Sequence, residues 1–308
     1  MTTLSTMHQP LTLLFSSLLL AASMSHADPI PLWPDKVPGF SETYKHKPYV
    51  QVDPERISET SRAFMRVFPA DPAKATGHGL LIFPGGGYNI LADKKEGDRV
   101  ARFFASKGIT SFVVCYRVSK STRDKAYQFP GPLLDARQAM RHVRKNAAQF
   151  KIDPHKVGVI GFSAGGHLAS MVGTRYHDTL EGDPVSDISV KPAFTAMIYP
   201  VISAIEPYAH GCTRKILGNN PTEQEKIALS AERLITKDTP PMFLVHNQFD
   251  PVKSLNSINL AAAATRAKVP CELHLYPARE HGFGMGTPGK DLAADWPVML
   301  DKFIKRIR

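Results

Sequence analysis

The chain has 308 residues, with 38 Lys and Arg against 28 Asp and Glu and a formal net charge of +10. That length suits one large domain or two small ones, and the composition is that of an ordinary folded chain without repeats or low-complexity tracts. The basic residues are scattered and form no block, which argues against a nucleic-acid partner; a basic surface suits an acidic polysaccharide or a cell envelope about as well.

The amino terminus reads as a processing segment. Leu11 to Ala22 is an apolar run too short to span a bilayer well, and Ser25-His26-Ala27 offers small residues where a signal peptidase reads them. Residues 1–27 are therefore expected to be a signal peptide, although this stretch holds no Lys or Arg. Cleavage after Ala27 would leave a secreted or periplasmic protein with no further membrane association. The three cysteines are too few for a disulfide framework. Cys115 lies in an apolar run and is expected to be buried; whether Cys212 and Cys271 pair is open.

Residues 28–60 are rich in proline and aromatics and read as an irregular arm on the surface. Phe64 to Phe68 alternates like a strand, and Asp71 to Gly77 is a turn. His78 to Phe83 is a buried strand that runs into Pro84-Gly85-Gly86-Gly87-Tyr88. Glu96 to Lys107 reads as a helix stopped by Gly108, and Ile109 to Arg117 as a strand. Ser119 to Pro132 is a loop. Leu133 to Phe150 is a long helix with an exposed basic side. Val157 to Phe162 is a strand, and Ala164 to Val172 a helix. Phe194 to Tyr199, Met242 to His246 and Glu272 to Tyr276 are further strands. Thr222 to Leu229, Leu255 to Ala267 and Leu292 to Ile307 are helices. Strands alternating with helices predict one α/β domain over residues 28–308: a mostly parallel, doubly wound sheet with helices on both faces. The interruptions at 177–191 and 203–238 are expected to lie over the sheet and shape a cleft.

The chemistry centres on Gly161-Phe162-Ser163-Ala164-Gly165, which fits G-x-S-x-G between a strand and a helix. A strand that reverses sharply into a helix strains the central residue. Side chains two positions to either side would collide, so glycine is needed there. A serine hydroxyl also needs a base and oxyanion donors. In doubly wound hydrolases the partners follow in the order serine, acid, histidine. His281, among glycines beyond the last strand, is the candidate base. Asp250, just past Met242 to His246, is the candidate acid. His246 is the competing base, but its place at the end of a strand suits the acid loop. His167 is expected to pack beside the elbow, and Asp135 to be a helix N-terminal carboxylate. Asp238 precedes its strand and falls at the wrong end of the sheet. The oxyanion donors are expected from the N–H groups of Gly86, Gly87 and Ala164. No nucleotide-binding glycine pattern and no metal-ligand spacing is present, so neither cofactor nor metal is expected.

Five stretches occur in a telling order: Pro84-Gly85-Gly86-Gly87-Tyr88, Pro132-Leu133-Leu134-Asp135-Ala136, Gly161-Phe162-Ser163-Ala164-Gly165-Gly166-His167-Leu168-Ala169, Tyr199-Pro200-Val201-Ile202-Ser203 and His281-Gly282-Phe283-Gly284. Together with Leu32-Trp33-Pro34 and Val37-Pro38-Gly39, they resemble the bacterial α/β-hydrolase esterases described as acetyl xylan esterase-like or xylanase-associated lipase/esterase proteins. The resemblance implies an α/β-hydrolase fold and a serine esterase with Ser163, Asp250 and His281 at the catalytic positions. Many such proteins act on acetyl groups carried by plant polysaccharide or its fragments. This chain departs from the pattern in the acid loop, where Phe249 precedes Asp250 and Pro251 follows at once. The expectation is an exported carboxylesterase acting on small acyl groups, acetyl above all, of an acylated sugar or polysaccharide. Trp33, Tyr88 and Tyr208 are candidate faces for sugar rings. A feruloyl esterase, a short-chain lipase, a serine peptidase and a catalytically silent carbohydrate-binding protein remain alternatives.

Overall fold

The structure, a computed structural model, describes residues 28–40, 49–120 and 125–307. The expected signal peptide and Tyr44 of the arm lie outside the described residues. In chain order the elements are β1 (Ile30–Pro31), β2 (Val50–Asp53), β3 (Arg56–Ser58), β4 (Phe64–Phe68), β5 (Gly79–Phe83), β6 (Ile90–Leu91), α1 (Arg99–Ser106), β7 (Thr110–Cys115), α2 (Gly131–Lys145), β8 (Val157–Phe162) and α3 (Ala164–Thr174). Then follow β9 (Thr195–Ile198), α4 (Gly211–Leu217), α5 (Glu223–Ala228), β10 (Met242–Asn247), α6 (Leu255–Arg266), β11 (Cys271–Tyr276) and α7 (Trp296–Arg306).

Eight strands form one sheet in the order β1-β4-β7-β5-β8-β9-β10-β11. From β7 to β11 all neighbours are parallel, while β4 and β1 add an antiparallel edge. The central strands are buried on both faces, so β5 and β8 are apolar without alternation. Leu81 sits in register between Phe112 and Val159 at the middle of the core. Because the strands are parallel, the loops after β5, β8, β9, β10 and β11 all leave from one edge, where ligands of such sheets bind.

The sheet has the mostly parallel architecture expected, and four sequence expectations need correcting. The arm is not an irregular surface segment. Residues 30–31 extend the main sheet, and β2 and β3 form a small antiparallel sheet with β6. Leu32, Trp33, Val37 and Phe40 are buried. The Trp33 indole donates to Asp135 Oδ1 at 2.7 Å, and Arg117 forks onto both oxygens of the same carboxylate. Arg117 also donates to the carbonyl of Pro38. Asp135 is thus a wholly buried clamp for the arm, not a helix-end carboxylate.

The basic side of α2 is largely covered, with Lys145 exposed at its end. Arg137 is buried and donates to Asp183 and to the carbonyls of Arg175 and Asp178, and Arg144 holds the carbonyls of Ser189 and Lys191. These bonds draw the 177–191 segment onto α2 near the far end of α3. A helix rises ~1.5 Å per residue, so that end lies roughly 18 Å from Ser163, and this segment does not shape the cleft. All three cysteines are free thiols.

Candidate active site

Ser163 sits between β8 and α3 at φ 53°, ψ −116°. Two neighbours force this turn. A Cβ on Gly161 would stand 1.9 Å from the Gly165 carbonyl oxygen, and one on Gly165 would stand 2.1 Å from that of Phe83. Only glycine allows strand and helix to approach so closely. The turn is fastened by backbone bonds from Ser163 N–H to Ile198 and from Val201 N–H to the Ser163 carbonyl. The result presents Oγ at the sheet edge, beside the first N–H groups of α3, which have no partner inside a helix.

The structure brings the three residues singled out as nucleophile, base and acid into one line. His281 Nε2 lies 2.9 Å from Ser163 Oγ. Its Nδ1 lies 3.0 and 2.9 Å from the two oxygens of Asp250. The Asp250 side chain is fully buried and also accepts from Val252 N–H at 2.7 Å. A carboxylate can only accept, so Nδ1 carries the proton and Nε2 is left to accept from the serine hydroxyl. The His281 side chain keeps 28% of its exposure, which leaves the reacting edge open to solvent. His246, the competing base, is not part of this line. It is buried, with Nδ1 on Ser257 Oγ and Nε2 on the Val252 carbonyl, and burial lowers its pKa to about 4.

The glycine loop divides its donors. Gly85 N–H donates to Glu96 at 2.7 Å. The N–H groups of Gly86 and Gly87 have no acceptor among the described residues. Tyr116 Oη fixes the base of the loop through the Pro84 carbonyl at 2.6 Å. Beyond the glycines, Tyr88 is buried and its hydroxyl donates to His167 Nδ1 at 2.9 Å; His167 Nε2 in turn donates to the Leu229 carbonyl. This chain ties the loop to the elbow helix and to the 203–238 segment, which reaches the site as expected. Trp33 and Tyr88 are both buried and offer no face to a sugar; Tyr208 remains half-buried.

Four residues near the triad escaped the sequence reading. Asn247 donates to the Glu280 carbonyl at 2.8 Å and holds the histidine loop against β10. Tyr199, at φ 39°, packs edge-on against His281 and Phe283. Glu96 accepts from the Tyr199 hydroxyl at 2.8 Å. Its pKa is raised by burial, against the pull of hydrogen bonds from Tyr199 and Gly85. His210 caps α4 close enough to His281 that partial burial and the His281 charge both lower its pKa. Tyr199 opens one of the quoted stretches, but its partners lie far off in sequence, so no local signal marks any of the four. Among the described residues, no group of three or more His, Cys, Asp or Glu side chains is arranged to hold a metal ion.

The BD-FAE family model matches residues 69–263, more than half of the chain. An acetylxylan esterase of Xylanibacter ruminicola is 33% identical over 75% of this chain and 46% of its own length. Endo-1,4-beta-xylanase B of Butyrivibrio fibrisolvens is 34% identical over 66% of this chain and 32% of its own. The chain therefore spans 32% to 46% of the length of these curated relatives. The crystal structure of an acetyl ester-xyloside bifunctional hydrolase from Caldicellulosiruptor lactoaceticus superposes with a TM-score of 0.78 at 34% identity, covering 93% of this chain and 98% of that one. The chain belongs to the BD-FAE family and has the α/β-hydrolase fold of the acetyl xylan esterase-like proteins.

Proposed function

We propose that the protein is a serine carboxylesterase that removes small acyl groups, acetyl foremost, from carbohydrate. One observation carries the reading. A strained, positive-φ serine lies 2.9 Å from a histidine whose other nitrogen is held by a buried aspartate. In this mechanism Ser163 Oγ attacks the ester carbonyl while His281 Nε2 takes its proton. Asp250 keeps the imidazole in the required tautomer and stabilises the imidazolium. The carbonyl oxygen, now negative, accepts from the N–H groups of Gly86, Gly87 and Ala164. His281 then gives its proton to the leaving alcohol, and the acyl group stays on Ser163. Water, deprotonated by His281, attacks the acyl-enzyme, and release of the carboxylic acid restores the serine.

The acetyl and carbohydrate parts of the proposal are supported by the relatives, among them an acetylxylan esterase and an acetyl ester-xyloside hydrolase. Export through the segment ending at Ala27 belongs to the same proposal and rests on the sequence pattern. The test is release of acetate from acetylated xylan and simple sugar acetates, beside nitrophenyl esters of increasing chain length and a feruloyl ester. A clear preference for long chains or for feruloyl would sink the acetyl assignment. Replacing Ser163 with Ala should abolish turnover and fluorophosphonate labelling while leaving the melting temperature nearly unchanged. Turnover that survives in S163A would remove the serine from the mechanism.

A further inference from the structure

Glu96 is a buried carboxyl group behind the triad that the mechanism above does not use. It lies in a π-helical turn, Asp93–Asp98, that leads into α1. Such turns occur often at functional sites because the extra residue re-aims a side chain. Its Oε2 accepts from Gly85 N–H at 2.7 Å, and its Oε1 accepts from the Tyr199 hydroxyl at 2.8 Å. The Tyr199 oxygen itself accepts from Gly284 N–H at 2.9 Å, three residues past His281. One carboxyl therefore holds the first glycine of the oxyanion loop and, through one phenol, the loop that carries the base. The fit leaves no slack. A Cβ on Gly85 would stand 2.8 Å from Glu96 Oε2 and 3.0 Å from Ser163 Cβ.

We propose that Glu96 is a positioning residue for ester hydrolysis, locking the oxyanion loop and the His281 loop in register and placing a negative charge behind the imidazolium. The proposal rests on the serine esterase reading given above. Gly85 is the loop residue whose N–H faces away from the reaction, which leaves the next two glycines to face it. Tyr199 transmits the same constraint to His281, since its ring packs edge-on at 4.9 Å from the imidazole centroid. The ionisable groups that interact with Glu96 are Tyr199, His281, Lys95 and Tyr116. His281 is the one that changes charge during turnover. Burial raises the Glu96 pKa, while the ionised form is the one both of whose oxygens are free to accept, as they do here from Gly85 N–H and the Tyr199 hydroxyl. An amide would offer one acceptor where Glu96 uses two.

The experiment compares Glu96→Gln, Tyr199→Phe and the double variant with the wild type on nitrophenyl acetate, alongside fluorophosphonate labelling and thermal melting. Glu96→Gln keeps an acceptor for Gly85 N–H, removes the charge, and turns the atom facing the Tyr199 hydroxyl from an acceptor into a donor, a loss that Tyr199→Phe measures separately. It should lower kcat roughly 10- to 100-fold with KM within about threefold, the size of loss expected from slight misplacement of reacting groups. The acid limb of its kcat/KM profile should move to lower pH by about half a unit or more, because the charge that favours the imidazolium is gone. Its melting temperature should move by no more than about 5 °C, because relief of the desolvated charge offsets the lost Tyr199 bond. Tyr199→Phe should lower kcat in the same way, and the double variant should be no worse than the poorer single one. An E96Q protein with wild-type kcat and an unmoved acid limb would overturn the proposal. So would additive losses in the double variant. A wild-type protein that neither turns over nor labels would overturn the esterase reading and the proposal together.

Discussion

His167 makes a sharp test of how the oxyanion loop is held. Its imidazole is wholly buried, donates from Nε2 to the Leu229 carbonyl and accepts at Nδ1 from the Tyr88 hydroxyl. A second proton would have to displace the Tyr88 hydroxyl hydrogen. Burial accordingly lowers the pKa from 6.5 to about 4. In the unfolded chain the same ring takes its proton near the ordinary value. Between those two values the unfolded state binds more protons, so acid favours unfolding. The contribution is complete above about pH 6.5, erodes as the pH falls, and is gone near about pH 4. Each unit is worth about 1.4 kcal/mol, which makes the swing about 3 kcal/mol for this residue alone. Replacing His167 with Gln keeps an acceptor and a donor but removes the titration. Urea unfolding, followed by the fluorescence of buried Trp296, should be run on both proteins from about pH 7 to about pH 4. His246 and the carboxylates are common to both and cancel in the difference. The wild type should lose about 3 kcal/mol more than H167Q over that span. Curves that stay parallel within ~0.5 kcal/mol would refute a buried neutral His167.

Three further outcomes follow from the geometry. His281→Ala should lose on the order of 10⁴-fold or more in kcat on nitrophenyl acetate, whereas His246→Ala should keep much more activity; the reverse order would overturn the base assignment. Asp135→Ala leaves Arg117 buried without its partner and frees the Trp33 indole, so it should destabilise by about 3–5 kcal/mol in urea unfolding; a wild-type midpoint would show that the arm is not clamped there. Gly161→Ala drives a methyl into the Gly165 carbonyl and should give insoluble or unfolded protein, while Gly211→Ala, with nothing within 4 Å of the added carbon, should fold and melt like the wild type.

The comparison between chain and fold turns on distance along the sequence. Strand and helix signals are local: the apolar run of β8 and the short helix expected from Thr222, which is α5, could be read from neighbouring residues. The elbow was legible because its steric demand falls on residues two positions away, and steric demand dictates glycine. Asp250 and His281 could be ranked because parallel strands send their following loops to one edge, so order in sequence becomes place in space. The start of α1 was harder to see, since a π-helical turn precedes it and the expected helix ran on from Glu96.

What the sequence determined by itself is the type of sheet, the glycine-flanked serine turn and a short set of candidate partners. Each depends on spacing or on a backbone that only certain residues can adopt. What only the tertiary structure decided is which polar groups are buried together. Asp135 meets Trp33 and Arg117, Arg137 meets Asp183, and Glu96 meets Gly85 and Tyr199 across gaps that no periodicity spans. A buried charge must find a partner, but nothing in its own neighbourhood along the chain says which one. The line of Ser163, His281 and Asp250 is the same case at closer quarters. The residues could be nominated from the chain, and only the fold puts His281 Nε2 at 2.9 Å from Ser163 Oγ.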